Sequence, residues 1–347
     1  MSKAQVLKNA HTLERISGLD LRGEVFDGED LPGMIFDRVD FSLVCVRRSS
    51  LRESIFMNCN FDHAFFENAD LSHTKFIECR FNHAVLDGCD LSEATLDDTV
   101  CQHATLRACR LEKTDLSDCD FSDAVLRGVA LVEANVFSTR FERADFTDAD
   151  LSKSTLHELD LRETIFAGAV MREMALSGCT LSGQVFSGQD LSETQFNEAE
   201  LVDVDFSGCR LAMCNFSEAS LANVNFTAAE MRNALFVGAT VENCRFNGAT
   251  LNQSLWNNAL VTGCDFTGAE LGMGVFNRAA FERCGFVACD MQYADFSYAG
   301  LKQCNLGEVT LNQTRFHRAV LDSDEIKRRP GAVERDDELF EAELRSA

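Results

Sequence analysis

The stretch Ala69-Asp70-Leu71-Ser72-His73 sets out a five-residue unit: small, acidic, large apolar, polar, polar. Ala149-Asp150-Leu151-Ser152-Lys153 repeats it. Steps of five outward from Leu71 reach Phe66, Phe61 and Phe56 on one side and Phe76, Phe81 and Leu86 on the other. The register holds from Ile16 to Leu321, and all 62 positions are apolar: 27 Leu, 25 Phe, 4 Val, 3 Met and one each of Ile, Trp and Cys. With 46% apolar residues overall, chance gives such a run with a probability on the order of 10⁻²¹. Two positions ahead of each lies a second slot, filled mostly by Ala, Cys, Thr, Ser or Val. This period matches neither a helix nor a free strand. It fits a chain that turns a corner every five residues and points one large and one small side chain inward per side. Four sides close a coil of about 20 residues, and stacked coils share backbone hydrogen bonds.

The pattern A-(D/N)-L-x-x, with Asn60-Phe61, Asp120-Phe121 and Asn225-Phe226 as variants, resembles the pentapeptide-repeat family over residues 16–321. The resemblance implies an all-β solenoid, a right-handed quadrilateral β-helix. The count predicts about 15 coils, and about 4.8 Å per coil makes a rod near 75 Å long. From Leu181 to Phe316 the large slot alternates mostly Leu and Phe, so Phe206, Phe226, Phe246, Phe266 and Phe286 should stack as one ladder. An uncapped solenoid exposes a sheet edge, and both ends leave the pattern. Residues 1–15 read as a capping helix from Ser2 to Arg15, with Val6, Leu7, Ala10 and Leu13 on one side. Residues 322–347 read as a linker, broken at Lys327-Arg328-Arg329-Pro330-Gly331, and an acidic helix from about Val333 to Arg345. That helix carries Leu339, Phe340 and Leu344, as a cap or as a partner-binding stripe.

Acidic residues number 56 against 32 basic, a formal net charge of −24. Like charge argues against direct contact with nucleic acid or an anionic membrane. No apolar run reaches the roughly 20 residues that span a bilayer. Fifteen Cys without a secretory signal in Met1–Arg15 point to a reducing compartment. The expected location is the bacterial cytoplasm, with delivery by a secretion system left open.

Thirteen of the Cys fall in the small slot, and Cys244, Cys264, Cys284 and Cys304 should lie above one another. Parallel side chains on a line do not converge as a zinc site requires, nor do they reach disulfide distance. They read as core filler. His63, His83 and His103, also 20 apart, read as a surface ladder. Gln184 and Gln189 in the small slot suggest a local irregularity. An outer column carries Asp30, Asp70, Asp90, Asp150, Asp190, Glu230, Glu270 and Asp290, interrupted by Arg110 and Arg210. No phosphate-cradling glycine loop, H-E-x-x-H or C-x-x-C occurs. The chain reads as a non-enzyme without cofactor or metal.

Two functions compete. One is a rigid scaffold or adaptor for protein partners. The resemblance links such members to bacterial effectors and secretion, and a homodimer through a solenoid end fits the shape. The other is an acidic DNA mimic that binds a type II topoisomerase such as gyrase, as the family's quinolone-resistance members do. Duplex DNA carries one charge per roughly 1.7 Å, about 44 over such a rod. The −24 here is far fewer, so the scaffold is preferred.

Overall fold

Each side of the coil is a short extended segment whose central residue points inward while its neighbours point out. In Phe65–Glu67 the middle Phe66 is buried and both flanks are exposed. The structure, a computed structural model, describes residues 3–10 and 14–346. It divides into two units, Met1–Ala175 and Leu176–Ala347, each a parallel β-solenoid.

In the first unit, eight strands from Arg15–Ser17 to Thr155–His157 form one parallel sheet. The register is 20 residues, as in Ile16↔Phe36 and Phe36↔Phe56. Val25–Asp27, Cys45–Arg47 and Phe65–Glu67 form a second sheet. In the second unit a seven-stranded parallel sheet runs from Glu200–Val202 to Val320–Leu321. Isolated bridges at the same offset join other sides.

The last residue of the five-residue unit adopts a left-handed backbone at corner after corner, as at His63 (φ 58°) and Asn223 (φ 57°). A side chain there costs roughly 1–2 kcal/mol, so ladder bonds to the coils above and below must hold it. Among the described residues no Val, Ile or Thr takes this φ, because a branched Cβ crowds it most.

Corners come in two kinds, and they explain the small slot. At most corners its N–H donates to the carbonyl three residues back, as Ala64 does to Phe61 at 2.9 Å. After the extended sides this bond is missing, and Cys or Thr recurs. Cys59 and Thr139 donate to the carbonyls of Met57 (3.3 Å) and Phe137 (3.0 Å), and Cys119 N–H donates to Thr139 Oγ1 at 3.4 Å. Cys244 donates to Glu242 at 3.3 Å while its N–H donates to Cys264 Sγ, also at 3.3 Å. The thiols therefore fill space and also serve carbonyls at the turn.

The core is aromatic where the sequence places Phe. Phe206, Phe226, Phe246, Phe266 and Phe286 stack at 4.7–5.4 Å. A facing ladder of Phe196, Phe216, Phe236 and Trp256 meets them edge-on, as Phe216 and Phe226 do at 81°. Gln184 and Gln189 keep regular turn bonds from their N–H groups, 3.1 and 2.9 Å. Gln189 is half-buried, where most residues of the small slot are buried.

Both terminal helices are shorter than the sequence suggests. The first, α1, spans Lys3–Asn9, and Arg15 already belongs to a strand. Val6 is buried and Leu7 exposed; Ser2 and Leu13 lie outside the described residues. At the other end Ala332–Val333 pairs with Thr314–Arg315 as a two-stranded sheet of their own, so strand pairing goes on past Leu321 and Val333 is strand. The second helix, α2, spans Asp337–Ser346. It starts after Asp336, whose carboxylate accepts the N–H groups of Glu338 (3.1 Å) and Leu339 (3.2 Å) as an N-cap.

Candidate interaction surfaces

The acidic column exists in each unit. Asp70↔Asp90 and Asp90↔Arg110 bridge in the first, and Arg210↔Glu230 and Glu270↔Asp290 in the second. Most of its carboxylates accept hydrogen bonds at the corners. Asp70 accepts both the N–H (3.0 Å) and the hydroxyl (2.6 Å) of Ser72. Asp90, Asp150 and Asp190 do the same with Ser92, Ser152 and Ser192, and Asp290 accepts the Gln292 N–H. Burial alone would push the Asp70 carboxyl up, but the bonds from Ser72 and Ser50 outweigh it and hold it below the usual carboxylate range. Arg110 pairs with Asp90 at 3.1 Å and Arg210 with Asp190 at 3.0 Å. Of the carboxylates in this column only Asp30, Glu230 and Glu270 are exposed.

His63, His83 and His103 stack as exposed rings 5.0 and 4.9 Å apart, within 8° of parallel. Parallel rings place their nitrogen lone pairs side by side. Among the described residues no group of three His, Cys, Asp or Glu side chains is arranged to hold a metal. All 15 cysteines are free, and all but Cys45 and Cys304 are buried. Burial pushes the Cys89 and Cys119 thiols up to about 12, which leaves them protonated.

The tail is where the repeat stops using its own side chains. Glu343 of α2 accepts hydrogen bonds from the Tyr298 hydroxyl and from Arg318 Nε, the latter at 2.7 Å. Its other neighbour is His317 Nε2 at 3.4 Å, on a ring only 3% exposed. The His317 Nδ1 accepts the Asp336 N–H at 3.2 Å, and Arg315 pairs with Asp336 at 3.4 Å. Arg318, then Tyr298, draw the Glu343 carboxyl down to about 2. The sequence pointed instead to Leu339, Phe340 and Leu344. Of these Leu339 and Phe340 are half-buried, with Arg335 3.6 Å from the Phe340 ring centre, and Leu344 is 65% exposed. Glu343 had no signal of its own in an acidic helix. Tyr298, one of only two tyrosines, was the clue. Beside the tail, a cavity of about 300 Å³ opens between Leu301, Cys304, Leu306, Leu321, Ile326 and Arg329.

A model of the pentapeptide repeat region matches residues 61–136, 139–212 and 185–256. A model of pentapeptide repeats, 8 copies, matches 35–72 and 244–283. Among solved structures, HetL, involved in heterocyst differentiation regulation in the cyanobacterium Nostoc, is 24% identical. That match covers 80% of this chain and 96% of HetL, with a TM-score of 0.19. Full-length QnrB1, a plasmid-mediated fluoroquinolone resistance protein, is 18% identical over 64% of this chain and 92% of its own, with a TM-score of 0.22. Rfr23 from the cyanobacterium Cyanothece is 18% identical over 44% and 90%, with a TM-score of 0.17. No curated protein matches.

Proposed function

Because the chain belongs to the pentapeptide-repeat family, we propose that it is a non-catalytic scaffold that binds protein partners, with recognition concentrated at the C-terminal end. The observation that carries this reading is the latch at Glu343. It fixes α2 by polar contacts with Tyr298 and Arg318 and leaves Leu344 in solvent. A cap selected only to cover the core would turn its apolar residues down. Leu339, Phe340 and Leu344 are the contact residues proposed for a partner, in the helix-in-groove mode. The test removes residues 337–347 only, since Ala332–Val333 completes a strand pair. Partners bound by the full chain should be lost while melting stays close to that of the full chain. A truncated chain that unfolds or aggregates would make α2 a cap.

The DNA-mimic reading is the weaker one. Its acidic column is interrupted by Arg110 and Arg210, which pair with Asp90 and Asp190, so it does not present the unbroken row of negative charge that a duplex does.

A further inference from the structure

Outward positions just before the large residue mostly carry polar side chains, but one face of the first unit departs from this. Its column runs Val25, Cys45, Phe65, Val85, Thr105, Val125, Asp145, Ile165, each bridged in register to the next. Val25, Phe65 and Ile165 are 48%, 38% and 45% exposed. Two residues further on, the same face presents Asp27, Arg47, Glu67, Asp87, Arg107 and Arg127. The corner leading into it carries Leu43, His63, His83, His103, Asp123 and Arg143. Scattered exposed apolar residues need no explanation, whereas a contiguous in-register stripe marks an interaction surface.

We propose that this face packs against the same face of a second copy, with the two coil stacks antiparallel. The two-fold axis lies in the face, between the coil of Asp87 and the coil of Arg107. A two-fold interface presents one patch to itself, so the patch must be self-complementary. About this axis the coil order reverses while each column faces itself. Asp87 then meets Arg107 of the second copy, Glu67 meets its Arg127, and His63 meets its Asp123. The stripe obeys the same operation: Phe65 meets Val125, Val85 meets Thr105, and Val25 meets Ile165, while Cys45 meets Asp145, which is buried and paired with Arg127 of its own chain. Moving the axis half a coil either way sets Asp87 against Asp87 or Arg107 against Arg107. A parallel arrangement would oppose Asp145 to Asp145 and Arg107 to His103. Within one chain Asp87 and Arg107 already pair at 3.4 Å, so the dimer would join two such pairs into a ring of alternating charge.

This face lies wholly within residues 25–165, apart from the partner site proposed at the tail. The test is sedimentation equilibrium of the full chain at low salt. A dimer is expected. Phe65→Asp should raise its dissociation constant at least about tenfold with melting unchanged, and Arg127→Glu, which also breaks the 2.6 Å pair with Asp145 and so lowers melting, should raise it as far. Adding Glu67→Arg to Arg127→Glu should restore the dimer, because the swapped pair is again opposite in sign. A monomer at every concentration, a dimer indifferent to Phe65→Asp, or failure of the charge swap to rescue would each overturn the proposal. So would a Cys45–Cys45 cross-link on mild oxidation, which requires parallel stacks.

Discussion

The carboxylate before the large residue is a backbone ligand first and a charge second. Asp120 shows this most fully, accepting from the N–H (3.0 Å) and hydroxyl (2.6 Å) of Ser122, from Gln102 Nε2 at 2.7 Å and from Arg140 at 2.6 Å. Asp or Asn suits the position because a short acceptor reaches the N–H two residues on. Asp120→Ala should cost about 1–3 kcal/mol by urea denaturation, since it strands a donor in a buried corner. Glu230→Ala, on an exposed stretch of the acidic column, should stay within about 0.5 kcal/mol. Burial works against the Asp70, Asp120 and Asp265 carboxylates, yet their hydrogen bonds hold all three below the usual range. Their contribution is complete above the unfolded-state value near ~3.9 and is lost as pH falls through the lower folded values. Stability should therefore begin to drop below about pH 4. The thiols give a complementary readout at the same scale. The native protein should let a bulky maleimide reach Cys304 before any buried thiol, while denaturation exposes all 15 thiols. Rapid native labelling of Cys119 or Cys214 would contradict the packing.

At the level of elements, the Phe ladders and the tail respond to different perturbations. Phe246 lies between Phe226 and Phe266 at 4.9 and 4.7 Å and touches Trp256 edge-on. Phe246→Asp leaves an unpaired carboxylate among rings, and should lower stability by several kcal/mol and split the melting of flanking coils. The α2 latch should instead answer to pH. The Glu343 carboxyl, drawn down to about 2 from 4.5, anchors the helix above the higher of these values. As pH falls from 4.5 toward 2 the stabilisation from this anchor is lost, completely once the folded carboxyl protonates near 2, and hydrogen-exchange protection of the α2 amides should vanish while the coils stay protected. Glu343→Gln should already show that loss at neutral pH. Protection unchanged in this variant would mean that Leu339 and Phe340, not the carboxylate, hold the helix.

For the molecule as a whole, legibility followed periodicity. Leu71, Phe246 and the stacked His63, His83 and His103 could be placed because each residue's neighbours repeat its environment every 20 positions. Val333 could not, because its pairing with Arg315 spans a linker of different length from a coil. Glu343 was hidden for the same reason. The role of Cys59 and Cys244 depends on which corners lack a turn bond, a backbone property that side-chain type alone does not announce. Net charge alone hid how the charge is arranged: within the −24, carboxylates such as Asp120 are ionised but held at corners by amide donors and an arginine. A molar excess of the protein should accordingly leave gyrase supercoiling unaffected. Strong, salt-sensitive inhibition would restore the mimic.

The constant 20-residue offset also makes the sequence divisible. Excising residues 226–245 would bring Phe246 onto Phe206, with the columns on either side of the cut still in line. Removing five residues would rotate all later coils by a quarter turn and lay Leu columns over Phe columns. Copy number by whole coils is thus a nearly neutral coordinate for this chain, open to duplication and loss, while shorter insertions and deletions are not. Lineages of such a protein should differ in length by multiples of one coil, and an engineered chain one coil shorter should fold.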